Sequence, residues 1–456
     1  MKLIVQITLV ACIAVLSIPA AARVSQEQAD RLGKDLTPLG GLKAGNEAGT
    51  IPAWDGGLTT PPPGYGGREN NARLIDPFPE DKPLYTITAD NMAQYEAQLS
   101  EGLKAMFRQY PKTFKVPVYK SRRTVANPQW IYDATYQNAL NAELGGNGEA
   151  LVNAIKGIPF PIPQNGHEAV WNHKVRYRGM SGRRYNNQFA VTQSGAYNQV
   201  RLREDVMFPY SQPDATPESL DNIIIYFLQV ITDPPRLAGT ITLVHETMDQ
   251  IAEPRRAWQY NPGQRRLRRA PNVGYDNPGN GADGLRTNDQ TDAFNGAMDR
   301  YTWKLLGKKE MIVPYNAYRI HSDEVEYDDL IRQGHINQEF SRYELHRVWV
   351  VDSHNIEGKS HIYKRRTFYI DEDSWSILLI DIYDQRDQIW RVQEAHLLVG
   401  YDPEDPVLGV GAETVYDLQN GRYLLMAVNN EDEESSQIQW DEAYYKPGNV
   451  AKLVKR

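Results

Sequence analysis

Chemistry needs titratable or nucleophilic side chains at spacings that let them act together, and this 456-residue chain offers few such groupings. Its nine histidines are scattered. His354 and His361 flank a Gly-Lys turn, and His167 and His173 lie six apart, but neither pair has the spacing that sets two imidazoles around a metal on one helix face. They read as surface or core-edge histidines with ordinary hydrogen bonds. The carboxylate pairs Glu246 with Asp249 and Asp381 with Asp384 say little without geometry, because acidic residues meet at such spacings by chance. No Gly-x-Ser-x-Gly elbow and no phosphate-binding loop is present. The stretch Asp276 to Gly284 carries oxygen ligands suggestive of calcium but lacks the bidentate glutamate of an EF-hand, so it reads as a turn-rich connection. No catalytic residue, metal site or cofactor is expected. One charged group stands out in a chain of net charge −8: Arg255, Arg256, Arg265, Arg266, Arg268 and Arg269. Such a cluster suits docking to a lipid phosphate or an acidic partner surface, or else a solvated hairpin paired with nearby carboxylates.

The elements that would position a site follow from periodicity. Residues 33–83 are rich in Gly and Pro, which excludes long helices and central strands and predicts an extended arm on the body, anchored by Trp54. Apolar residues from Met92 to Tyr110 recur at helical spacing, so Asp90 to Tyr110 reads as one amphipathic helix stopped by Pro111. Shorter helices are expected over Gly148 to Ile155 and Gly166 to His173. From Lys174 the texture is strand-like, with Val200 to Phe208, Ile223 to Thr232 and Leu237 to Met248 rich in β-branched and aromatic residues. Arg255 to Tyr260 and Arg265 to Arg269 flank the turn Asn261-Pro262-Gly263-Gln264. Tyr343 to Asp352, His361 to Asp371, Ser374 to Asp384 and Ile389 to Val399 form an expected antiparallel meander. One helix interrupts it, Thr291 to Leu306, with Phe294, Met298, Tyr301 and Leu305 on one face, Gly307 as its stop and Thr287 with Gln290 as a capping box. Lying across a curved sheet it would be a lid over an apolar pocket; filling the space, it would complete an ordinary α+β core.

The first residues place the chain. Lys2, an apolar run from Leu3 to Ile18 and Ala20-Ala21-Ala22 have the pattern of an export signal over residues 1–22, cut after Ala22. The single cysteine, Cys12, lies inside it, so the mature chain would have no thiol, unless Leu9-Val10-Ala11-Cys12 serves as a lipidation site. A periplasmic protein results, and nucleic acid is excluded as a partner by export and by the acidic charge.

Several segments resemble a Gram-negative family called domain of unknown function 1329. They are Gly49-Thr50-Ile51-Pro52-Ala53-Trp54, Gly157 to Pro163, Ala169 to His173, Arg256 to Tyr260 through Arg269-Ala270-Pro271, Gly307 to Met311 with Val313-Pro314-Tyr315-Asn316, Tyr343 to Val351 and Lys364 to Asp371. The family is similar in fold to the carriers and receptors of the lipoprotein-sorting pathway. The resemblance implies an α+β fold: a large, strongly curved antiparallel sheet, an open half-barrel, with helices over its concave face. It also implies a resistance-nodulation-division type inner-membrane exporter and an outer-membrane barrel as neighbours; it brings no catalytic residue. The expected organisation is an N-terminal arm with helices over 23–173 and a sheet over 174–456 with its lid helix near 291–306. The expected function is a non-enzymatic carrier or adaptor for a hydrophobic, lipid-like molecule. Its lining would be Phe294, Met298, Tyr301 and Leu305 with the sheet aromatics Trp258, Trp349, Phe368 and Trp390. The rival expectations are a structural bridge to an outer-membrane barrel and an envelope glycan or lipid hydrolase.

Overall fold

The computed structural model describes residues 24–250, 252–270, 275–402 and 406–453. The expected leader, its cut after Ala22 and Cys12 lie outside them. Among the described residues, no helix is long and apolar enough to cross a membrane.

Among the described residues, seventeen strands follow in chain order. The N-terminal part supplies β1 (Tyr85–Ile87), β2 (Val116–Tyr119), β3 (Glu143–Gly145) and β4 (Ala150–Val152). A first meander runs β5 (Ser181–Val191), β6 (Tyr197–Met207), β7 (Ile223–Asp233), β8 (Ile241–Thr247), β9 (Arg256–Asn261) and β10 (Arg266–Arg269). A second runs β11 (Tyr301–Pro314), β12 (Tyr343–Asn355), β13 (Arg365–Asp371), β14 (Ile377–Tyr383), β15 (Ile389–Val399), β16 (Leu408–Asp417) and β17 (Arg422–Val428). Antiparallel pairing of β17 with β5 joins the two meanders into one sheet of 15 strands. The sheet does not close. Its edges are β10 and β11, and β2 joins it in parallel at Tyr343 and Glu344 of β12, bringing β1 with it. The α+β class with a large antiparallel sheet is therefore the observed one.

Alternation along β12 and β14 shows what covers each face. Val348, Val350 and Leu379 belong to a core shared with Leu103, Met106 and Phe107 of the helix Glu101–Gln109. Their neighbours Val351, Ile380 and Ile382 belong to a second core shared with Ala169, Val170 and Trp171 of the helix Gly166–Val175. The sheet is thus a middle layer, with successive residues feeding opposite cores.

Three helix expectations change. The expected helix Asp90 to Tyr110 is a 3₁₀ stretch, Met92–Gln98, and a separate helix, Glu101–Gln109; Ser100 breaks them because its hydroxyl accepts from the Leu103 N–H as an N-cap. The expected helix Gly148 to Ile155 is instead the end of the β3–β4 hairpin, turned by Gly146, Asn147 and Gly148, all at positive φ. The expected lid helix, Thr291 to Leu306, does not form. Asp292 and Ala293 take left-handed φ of 54° and 62°, and from Tyr301 the chain is β11, in register with β12 from Tyr301↔Asn355 to Pro314↔Tyr343. Tyr301 and Trp303 are buried while Thr302 and Lys304 are exposed, a period of two that outweighs the helical spacing of Phe294, Met298 and Tyr301. Gly307, expected to stop the helix, sits at a β-bulge with φ 99°. The Thr287–Gln290 capping box exists but caps a single turn, Asn288–Gln290.

Other expectations match the structure. The helix at Gly166 runs to Val175, the hairpin of β9 and β10 forms, and the Trp54 indole donates to the Val125 carbonyl at 3.1 Å. A helix unmarked by any apolar stripe, Gln129–Asn141, buries Ile131, Thr135 and Asn138, two of them polar. The Thr135 hydroxyl donates to the Ile131 carbonyl and the Asn138 amide to the Ile155 carbonyl.

Candidate functional site

A cavity of about 320 Å³ lies over β5 to β8 and the adjoining β16 and β17. Its floor is set by register. Arg184 of β5 stands opposite Glu204 of β6, Glu204 opposite Gln229 of β7, and Gln229 opposite Thr242 of β8, a polar rung across four strands. Two residues along, Gly182, Val206, Phe227 and Val244 make an apolar rung on the same face. Glu204 accepts from Arg184 at 2.5 Å and from Gln229 at 2.8 Å, so the polar rung is held rigid. On β16 the bulge between His396 and Leu397 of its partner keeps Leu408, Val410 and Glu413 on the cavity side, with Met426 of β17 opposite Glu413.

The cover comes from elsewhere in the chain. Asn280, Arg286, Asn288, Thr291, Asp292 and Asn295 roof one side, and Tyr65 and Leu74 of the Gly/Pro arm close another. The Asn280 amide donates to Thr242 at 3.2 Å, which ties the roof to the polar rung.

Charges around the cavity are mostly compensated. Arg255 pairs with Glu246 at 2.5 Å, and His321 with Glu434 at 3.0 Å. Arg176 pairs with Asp292 at 2.6 Å, and Arg178 is bonded to the same carboxylate. Asp292 is held well below the usual carboxylate range, since the two guanidiniums outweigh its burial. Burial pushes the Arg178 guanidinium down to about 10 and the Glu413 carboxyl up to about 7, the latter with help from Asp292.

None of the expected lining residues borders this cavity. Phe294, Met298, Tyr301 and Phe368 are fully buried in the second core, and Leu305, Trp349 and Trp390 pack against it. Phe294 meets Trp303 at 5.2 Å and Phe368 at 5.7 Å, edge to face, leaving a filled aromatic cluster. Trp349 stacks on Trp375, and Trp390 donates to Asp417 and lines an open surface recess of about 670 Å³. Trp258 packs on the opposite face of the first meander, against His245.

The arginine cluster is not one surface. Arg255 is half-buried, engaged by Glu246 and by the Asn295 carbonyl, and lies over the Tyr275 ring. Arg256 is half-buried; Arg265, Arg266, Arg268 and Arg269 are exposed on the edge hairpin.

The remaining chemical candidates are spent on structure. Asp276 pairs with Arg300 at 2.8 Å and Asp283 pairs with Arg422, which explains the oxygen-rich loop without an ion. Asp381 accepts from the Gly102 N–H and the Tyr369 hydroxyl, both at 2.9 Å. His173 is buried between the Trp375 and Asp292 carbonyls, and burial pushes it down to about 3. Among the described residues, one group of ligand-type atoms lies within 4.8 Å, His346, Asp371 and Asp373. There the Asp373 carboxylate is clamped by Arg123 at 2.7 Å, and His346 faces Glu344 at 3.0 Å.

The residues that build the cavity, Arg184, Glu204, Phe227, Gln229, Arg286 and Glu413, were not singled out by sequence. A signal existed: polar residues at every second position of a long strand, Arg184-Asn186-Gln188, mark a face that is not filled with side-chain carbon.

A profile of the family described as "Protein of unknown function (DUF1329)" matches residues 86–451. The uncharacterized protein PA3922 of Pseudomonas aeruginosa is 47% identical over 426 residues, covering 93% of this chain and 92% of its own. Among solved structures, a DUF1329 family protein from Desulfovibrio piger is 14% identical with a TM-score of 0.39, covering 59% of this chain and 92% of that one. A LolA superfamily protein from Nitrosomonas europaea is 11% identical with a TM-score of 0.36, covering 62% of this chain and 97% of that one.

Proposed function

The chain belongs to the DUF1329 family, and on that footing we propose that it is a non-enzymatic periplasmic carrier or adaptor sheltering a lipid-like molecule in the cavity over β5 to β8. The observation that carries this reading is the apolar rung Val206–Phe227–Val244, held beneath a roof and bounded by a hydrogen-bonded polar rung. An apolar recess that stays unfilled by the protein's own side chains is costly unless something occupies it. Each methylene buried there contributes about 0.8 kcal/mol, so a single chain binds usefully in a preformed site. The carboxylates and histidines of the cavity are tied to arginines and amides and do not converge on a reacting centre, which favours carriage over hydrolysis. An inner-membrane exporter and an outer-membrane barrel are the partners such a carrier would serve.

The test is organic extraction and mass spectrometry of protein purified gently from its own cell envelope, beside a Val244→Trp variant that fills the recess. A stoichiometric apolar molecule, lost in the variant, is the expected result. Wild-type protein that emerges clean would instead favour the bridge to an outer-membrane barrel.

A further inference from the structure

Most guanidiniums of the cavity wall have a carboxylate. Arg183 has Asp205, Arg184 has Glu204, Arg255 has Glu246, and Arg176 and Arg178 share Asp292. Arg286, 8% exposed and lining the cavity, is in no ion pair with any described residue. Its contacts are neutral and long: the Thr287 carbonyl and the Thr291 hydroxyl at 3.3 Å, and the Gln188 side-chain oxygen at 3.4 Å. Its Nε has no hydrogen-bond partner among the described residues. A buried cation without an anion is expensive, and a buried donor left unmade carries the full desolvation cost.

The carboxylate nearest in influence does not resolve this. Glu413, the largest charged influence on Arg286, makes no ion pair with it: it accepts from the Gln393 amide and the Ala293 N–H, and burial pushes its carboxyl up to about 7. From that point an aliphatic track leads away. Met426 stands opposite Glu413, and Val410 and Leu408 follow on the cavity side of β16, toward Leu74 and Tyr65 of the arm. Glu413 to Leu408 spans roughly 15 Å at about 3.3 Å per residue, the reach of a medium-length acyl chain.

We propose that Arg286 anchors the anionic head group of a single-chain amphiphile, a carboxylate or phosphate seated beside Gln188 and Thr291, with its chain along Met426, Val410 and Leu408. This rests on the carrier reading and narrows it to ligands that are charged at one end. A guanidinium presents paired N–H donors to either head group, and in this recess the anion supplies the charge the protein lacks.

Calorimetric titration with dodecanoate, dodecyl phosphate, dodecanol and inorganic phosphate decides it. Wild-type protein should bind the better of the two charged amphiphiles at least tenfold more tightly than dodecanol, and the better one names the head group. Arg286→Met should erase that preference, while Arg286→Lys, which keeps the charge, should retain part of it. Equal affinity for dodecanol and both anions in wild type overturns the anchor but leaves the carrier standing. Failure of all three amphiphiles overturns both. Inorganic phosphate binding as tightly as dodecyl phosphate would mean a site for a free anion and overturn the track along β16.

Discussion

Arg366 and Arg286 are both buried beside the segment 286–300, and the protein treats them in opposite ways. Arg366 points into the second core, 2.9 Å from Asp289, with the rings of Tyr301, Phe294, Phe368 and Tyr363 between 4.6 and 5.8 Å from its guanidinium carbon. Asp289 is held well below the usual carboxylate range, Arg366 being its largest charged neighbour. Arg286 looks into the cavity and makes no ion pair with any described residue. The boundary between the two regions is one stretch of chain: Asp292 lines the cavity and Phe294, two residues on, is sealed in the core. Aromatic density therefore marks where this sheet is finished, and an uncompensated charge marks where it waits for something.

That contrast can be broken by experiment. The largest effects belong to the core. Phe368→Ala, at a fully buried position, should cost about 3–5 kcal/mol by urea unfolding. Dodecanoate affinity of the remaining folded protein should be unchanged; a parallel loss of binding would put the ligand under the aromatic cluster after all. Matched arginine replacements sharpen the point. Arg366→Met strands a buried Asp289 and should cost about 3–5 kcal/mol, whereas Arg286→Met removes an unpaired cation and should stay within about 1 kcal/mol of wild type, or exceed it. Equal losses in the two variants would show that Arg286 is structural.

Smaller effects follow in the cavity. Val410→Trp should lower dodecanoate affinity by about tenfold, the loss of roughly two methylenes of contact, and shift stability by less than about 1 kcal/mol. Glu413 gives a pH signature. Its carboxyl ordinarily titrates near 4.5, and burial pushes it up to about 7 in the folded protein. The unfolded chain therefore releases that proton first as pH rises, so the stability that Glu413 contributes is complete below about pH 4.5 and drains away up to about pH 7. Glu413→Gln should flatten thermal stability over that window relative to wild type; an unchanged slope would mean that the carboxyl is already ionised. Smallest of all, Arg266→Ser with Arg269→Ser on the exposed edge hairpin should change unfolding free energy by no more than about 0.5 kcal/mol.

How far the sequence carried the account depends on which signal each element offered. Strands of alternating or continuous β-branched residues, such as Ile223–Asp233 and Ile389–Val399, were legible because burial on one or both faces needs that pattern. The segment 291–306 departs from its helical expectation for a physical reason. Phe294, Met298 and Tyr301 fall at helical spacing by coincidence, while the competing alternation from Tyr301 to Lys304 is decided by a long ladder with β12 that only the fold reveals. The candidate site was hardly legible. Its floor strand β5 is polar on every second residue, which in isolation looks like a solvated strand, and its key arginine sits in a roof loop more than a hundred residues from the arm that closes the other side. Aromatic residues suit pocket walls because rings line many ligand sites, yet here they fill the space themselves.

The most direct test is a crystal structure of the full chain with dodecanoate carrying a bromine at its chain end, located by anomalous scattering. A single bromine peak along Val410 and Leu408 toward Leu74, with the carboxylate on Arg286, is the expected result. A peak among Phe294, Trp303 and Phe368 would contradict it.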